Sequence, residues 1–126
     1  MGITLDHTVI AAEDNLVSAR RFADIMGVAI DGHEGVDGKF VSVRVNETLR
    51  LFFFTVQPVT SQHLAFVVDE ATFDAVVERL RQAGMPFGSS PRDPPNGRTD
   101  HPLGIRPSSR SSFRASGAAT TRPSTL

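Results

Sequence analysis

Cysteine is absent from all 126 residues, which excludes disulfides and thiol chemistry and leads us to expect a cytoplasmic setting. Long apolar runs are absent too, so no membrane-spanning helix is expected. The opening MGITLDHTVI lacks the basic start and extended apolar stretch of a signal peptide. No serine triad, phosphate-binding loop or dinucleotide fingerprint occurs. A net charge of −1 offers no excess of either sign for a nucleic-acid or membrane partner. One further lack is local. Residues 105–126 carry four arginines and no acid, whereas residues 1–104 carry 9 basic and 14 acidic side chains.

What is present is enough chain, 40% of it apolar, to bury the core of one domain. Its main feature is an internal repeat. Leu5 to Gly27 reads LDHTVIAAEDNLVSARRFADIMG, and Ser61 to Gly84 reads SQHLAFVVDEATFDAVVERLRQAG. Each runs from a histidine through an apolar stretch and an acidic corner to a helix-period segment ending in glycine. His7 and His63 are thereby equivalent, 56 positions apart.

In the first copy, Ile3 to Ala11 alternates as a strand does, with His7 on the parity of Leu5 and Val9. It should point with them towards a core or a sheet-lined cavity. Glu13-Asp14-Asn15 offers capping side chains at a helix start. Leu16, Ala19, Phe22, Ala23 and Met26 recur at three- and four-residue spacing as one apolar face, and Gly27 is placed to end the helix. Val28 to Ile30 starts a second strand, interrupted by Asp31-Gly32-His33-Glu34-Gly35-Val36-Asp37-Gly38. That glycine-rich stretch is expected to be a hairpin connection, since no basic residue or helix start follows to make a phosphate cradle. Lys39 to Val45 alternates, Asn46-Glu47 turns, and Leu49 to Val56 is strongly apolar. The first repeat, residues 3–56, is therefore expected to be β-α-β-β-β.

In the second repeat, residues 61–104, His63, Ala65 and Val67 share one parity and Leu64, Phe66 and Val68 the other. Phe73, Val76, Val77 and Leu80 form a helix stripe, with Gly84 as its stop and Met85-Pro86-Phe87 expected to open a strand. A proline-rich loop, SSPRDPPNGRTDHPLG, follows. By analogy with the first repeat two apolar strands should come next. The chain instead continues IRPSSRSSFRASGAATTRPSTL, a composition too poor in apolar residues to offset its ordering entropy.

The β-α-β-β-β repeat, the paired histidines, and the stretches LDHTVIAAED, QHLAFVVDEATFDAVVERLRQAG and NGRTDHPLG resemble the vicinal oxygen chelate superfamily. That superfamily includes glyoxalases, bleomycin-resistance proteins and extradiol dioxygenases. The resemblance runs from about Ile3 to Gly104. It implies an α+β fold in which two βαβββ-type repeats form a mixed-sheet cleft, the second of them truncated, within a single domain of residues 1–104. Beyond Gly104 the superfamily commonly continues with a Gly-Arg-Gly strand, a turn of the Asp-Pro-Asp-Gly-His type and a strand bearing a glutamate ligand. Here Ile105-Arg106-Pro107 follows instead. A shifted reading frame near codon 104 accounts for the change of composition; a functional basic tail is the alternative.

The resemblance assigns His7 and His63 to the first-strand metal-ligand positions, for Fe, Mn, Ni, Zn or Co. Such an ion acts as a Lewis acid on two neighbouring substrate oxygens. No third protein ligand is found: Leu49 to Phe54 holds no carboxylate, and nothing after His101 is Asp, Glu, His or Cys. Arg50 is placed to bind an anionic ligand group or to lay its stem on the sheet with its head in water. Phe52 is placed to line a pocket, and His101 to approach it from its loop. Asp69-Glu70 is explained by helix capping. Two functions are expected. One is a divalent-metal-dependent lyase, isomerase or ring-opening dioxygenase acting on a small molecule with adjacent oxygens. The other is a metal-free protein that sequesters a flat or hydrophobic ligand, or else an inactive frame-shifted product. Unpaired sheet edges would favour a homodimer.

Overall fold

The computed structural model describes residues 2–60 and 62–88. These fall into two compact units, divided between Ser61 and Gln62. The fold is α+β, and no helix among the described residues is long and apolar enough to cross a membrane.

The first unit runs β1 (His7–Ala12), α1 (Asn15–Met26), β2 (Ala29–Glu34), β3 (Phe40–Arg44) and β4 (Arg50–Thr55). This is the expected β-α-β-β-β order. The strands make one mixed sheet in the order β1-β4-β3-β2. β1 lies parallel to β4, with His7 opposite Arg50 and Val9 opposite Phe52. β3 is antiparallel to both its neighbours.

Side-chain alternation then sorts the residues. On one face stand Ile10, Ala12, Val41, Val43, Leu51 and Phe53, all buried. Helix α1 covers this face, its Phe22 ring 5.9 Å from that of Phe53. Burying each large aliphatic or aromatic side chain here contributes roughly 1.5–3 kcal/mol. On the opposite face stand His7, Val9, Arg50, Phe52, Phe54, Phe40, Ser42 and Arg44.

Helix α1 is held at both ends. Asp14 caps it, its side chain accepting from the Val17 amide, and Gly27 ends it in the left-handed conformation with φ 73°. Asn15 ties its start to the sheet, donating from its backbone to Thr55 Oγ1 (3.0 Å) and from its side chain to the Lys39 carbonyl (2.9 Å). The expected apolar face is corrected at one end. Leu16 is 42% exposed, and the buried stripe is Ser18, Ala19, Phe22, Ala23 and Ile25.

Three strand limits also differ from expectation. β1 begins at His7 rather than Ile3, because β4 begins at Arg50 and residues before His7 have no facing strand there; the last contact is the Arg50 amide to the Asp6 carbonyl, 3.0 Å. Ile3 and Leu5 are exposed. β2 continues through Asp31-Gly32-His33-Glu34, where a loop was expected. An irregularity between Ile30 and Gly32 lets these polar residues stay in the ladder, and the connection shrinks to a 3-10 turn at Val36–Gly38.

In the second unit Gln62 to Val68 is extended in pattern, but only Phe66 forms a bridge, so the expected strand is not continuous. His63, Ala65 and Val67 are exposed, while Leu64, Phe66 and Val68 are half-buried. Helix α2 (Glu70–Gln82) follows, capped by Asp69, with Val76, Val77 and Leu80 buried. The Met85 amide donates to the Leu80 carbonyl (2.9 Å), and Met85 to Gly88 forms no strand. His101, the loop NGRTDHPLG and the 105–126 segment lie outside the described residues.

Candidate functional site

The sheet face opposite α1 gathers the functional candidates of the first unit. Cross-strand pairing sets them side by side: β1 delivers His7, β4 delivers Arg50 and Phe52, and β3 delivers Phe40 and Ser42. His7 lies flat on Phe52, ring centroids 4.4 Å apart and planes 18° from parallel. The Arg50 guanidinium carbon sits 5.0 Å from the centroid of the same ring, within cation–π range. Phe40 packs 5.8 Å from both Phe52 and Phe54. Phe52 is thus the floor on which an imidazole and a guanidinium rest.

Charge is balanced around this floor. Arg44 and Arg50 stand directly opposite each other in the β3–β4 pair, an arrangement that like-charge repulsion opposes. Carboxylates offset it. Arg44 donates to Asp31 Oδ2 at 3.0 Å, while Arg50 reaches Glu34 Oε1 and Asp6 Oδ2, each at 3.5 Å. The Asp6 oxygen that meets Arg50 also lies 2.7 Å from His7 Nδ1. The hydrogen bond with His7 holds the Asp6 carboxyl below the usual carboxylate range; desolvation opposes this, and the charge and hydrogen bond of Arg50 add to the lowering. Asp31 is also lowered. Its partial desolvation opposes ionisation, but the dipole of Ser42 and the charge of Arg44 outweigh it. The Ser42 hydroxyl is fully buried and has no hydrogen-bond partner among the described residues.

His7 keeps the expected parity with Val9, but that parity marks the face opposite the helix; the core lies on the other. Its side chain is 45% exposed. The Arg50 stem lies on the sheet as one alternative required, yet its head is paired rather than simply hydrated, and only 25% of the side chain is exposed. Phe52 is buried beneath His7 and Arg50 on this face. His63 stands exposed in the second unit. Asp6 and Glu34 were not singled out by the sequence reasoning. The available signal was electrostatic: an arginine inside a phenylalanine-rich strand requires nearby carboxylates.

Among the described residues no three His, Cys, Asp or Glu side chains are grouped to hold a metal ion. The described residues therefore supply no metal donor set of their own; His7 offers one exposed imidazole to this face. Beside it stand the carboxylate-paired guanidinium of Arg50 and the buried ring of Phe52.

No family model matches the chain, and no curated protein does. Solved structures do. The chain is similar to the oxidase ChaP-H2, with 28% identity and a TM-score of 0.69 over 92% of this chain and 87% of that one. It is similar to the oxidase ChaP-H1 at 29% identity and 0.69, over 91% and 88%. A possible glyoxalase from Bacillus cereus shares the fold alone, at 21% identity and 0.51 over 70% and 80%. These likenesses support a fold of the glyoxalase/dioxygenase type for this chain.

Proposed function

We propose that this chain is a glyoxalase/dioxygenase-like protein that binds a small molecule with adjacent oxygens, and that His7 contributes an imidazole ligand to a divalent metal. The observation that carries the reading is the shared Phe52 floor, which places an exposed imidazole next to a guanidinium on one sheet face. When bound, the ion would polarise two neighbouring oxygens of the ligand. Arg50 would neutralise an anionic group of that ligand, and Phe52 would keep both side chains in place. His63 enters as the repeat-equivalent of His7, on sequence grounds alone. The likeness to the ChaP oxidases supports oxidation as the reaction class.

The test is metal content and affinity of the purified protein, beside His7→Ala and His63→Ala, after supplementation with Fe, Mn, Ni, Zn or Co in turn. Stoichiometric metal that is lost in both variants supports the proposal. No metal in the unaltered protein overturns it and leaves the second reading, a metal-free protein that sequesters a flat ligand. The grouping of Phe40, Phe52 and Phe54 favours that alternative. Translating the other two frames of the gene beyond codon 104 tests the frame-shift reading, which requires a strand ending in glutamate. Homodimerisation is proposed on the same footing and is checked by light scattering.

A further inference from the structure

We infer that Asp6 is a positioning residue for His7: by accepting from Nδ1 it fixes the neutral imidazole in the tautomer protonated at Nδ1 and leaves the Nε2 lone pair free to bind. The inference rests on the preceding proposal only for what Nε2 would bind. Two restraints act on the ring, and they do different things. Stacking on Phe52, at 4.4 Å and 18°, fixes the plane of the imidazole. A stacked ring remains nearly indifferent to a half-turn about its χ2 axis, which exchanges nitrogen and carbon positions along its edges. Only a directional contact removes that ambiguity, and the 2.7 Å approach of Nδ1 to Asp6 Oδ2 is such a contact.

The direction of the hydrogen bond follows from the partner. An ionised carboxylate accepts and cannot donate, so the proton between the two groups belongs to Nδ1. The tautomer of a histidine is set by the hydrogen bond that one of its nitrogens makes, and a neutral ring protonated at Nδ1 carries its lone pair on Nε2. Asp6 is itself restrained, because the same oxygen lies 3.5 Å from an Arg50 guanidinium nitrogen and the Asp6 carbonyl accepts from the Arg50 amide at 3.0 Å. An exposed carboxylate would otherwise move among rotamers and hold nothing in place. Here β4 anchors Asp6, and Asp6 orients His7.

The experiment is long-range 1H–15N spectroscopy of the full chain at about pH 8, above the usual titration range of imidazole. His7 is assigned by the signals lost in His7→Gln. We expect His7 to be protonated at Nδ1 in the unaltered protein and in Asp6→Asn, whose amide oxygen still accepts. In Asp6→Ala we expect the ring to move to the Nε2-protonated form or to a mixture of the two. Glu34→Ala removes the other partner of Arg50 without touching His7 and should leave the tautomer unchanged. Backbone spectra verify that each variant is folded. An Nε2-protonated ring in the unaltered protein overturns the inference, as does an unchanged ring in Asp6→Ala or an equal change in Glu34→Ala. Zn2+ titration adds a separate reading, with affinity falling about 10- to 100-fold in Asp6→Ala, the usual effect of removing the group that orients a ligating histidine. A protein that binds no Zn2+ but shows the expected spectra supports the role of Asp6 and counts against the metal proposal alone.

Discussion

His7 and Phe52 are stacked face to face at 4.4 Å although His7 is paired across the strands with Arg50, not with Phe52. The contact is diagonal, one step of the pleat along β4, and it draws the imidazole over the sheet instead of letting it extend past the edge. Diagonal neighbours remain within reach of ring side chains.

Replacing that ring tests the arrangement. Phe52→Leu keeps an apolar residue in the strand but removes the surface that His7 and Arg50 rest on. We expect a loss of about 1–2 kcal/mol, from the cavity and the missing ring contacts. The ring-current displacement of the His7 carbon-bound protons should vanish at the same time. Unchanged proton shifts would show that the stack does not persist in solution.

Acid should weaken the β2–β3 pairing through Asp31. Its carboxyl is held below the ordinary value, so in the folded state it stays ionised to lower pH than in the unfolded chain. The stability this contributes is fully present above the unfolded value, about 3.9, and is lost as pH falls through the folded one. Asp31→Asn should therefore lose less stability between neutral pH and about pH 3 than the unaltered protein does. Parallel urea-denaturation series at the two pH values measure the difference; identical losses would remove Asp31 from the account.

Gly35 supports the phenylalanine cluster from below the 3-10 turn. Its φ of 81° and ψ of −176° belong to a region that residues with a Cβ avoid. A Cβ there would also stand 2.6 Å from Phe40 Cδ2, so Phe40 would have to leave its place between Phe52 and Phe54. Gly35→Ala should cost on the order of 1–3 kcal/mol. Thermal unfolding reads the loss, and the aromatic proton spectrum should show Phe40 displaced.

Period-2 and period-3.6 patterning made the first unit legible, because each of its elements obeys one rule at a time. Ile10, Leu51, Phe53, Val41 and Val43 alternate cleanly, and Asp14 and Gly27 bracket α1 with the residue types that caps require. Where two demands met, the pattern misled. Leu16 has helix-face spacing but sits in the first turn, where it is exposed. Asp31 to Glu34 has loop composition, yet it stays in the sheet because Arg44 and Arg50 need its carboxylates. The segment around His63 has strand alternation, yet among residues 62–68 only Phe66 forms a bridge.

The same limit applied to the site. That Arg50 and Phe52 share a face is legible from the alternation of β4, and His7 joins them through the parallel register of β1 with β4. Asp6 was not legible, because it has the opposite parity to His7 and a strand would send it to the other face. It meets His7 because it lies just before β1 begins, where the alternation rule no longer governs it.

The parallel pairing of β1 with β4 has a kinetic consequence. β2, β3 and β4 are joined by short connections and can zip together locally, whereas Asp6 and Arg50 meet across 44 positions of chain. Closing that loop costs entropy that is recovered only after β4 is in place to receive β1. The hairpins are thus expected to form before the imidazole reaches its aromatic floor. A chain with β1 still detached would hold most of the sheet and none of the site, so the His7 stack reports completion of the unit rather than its collapse.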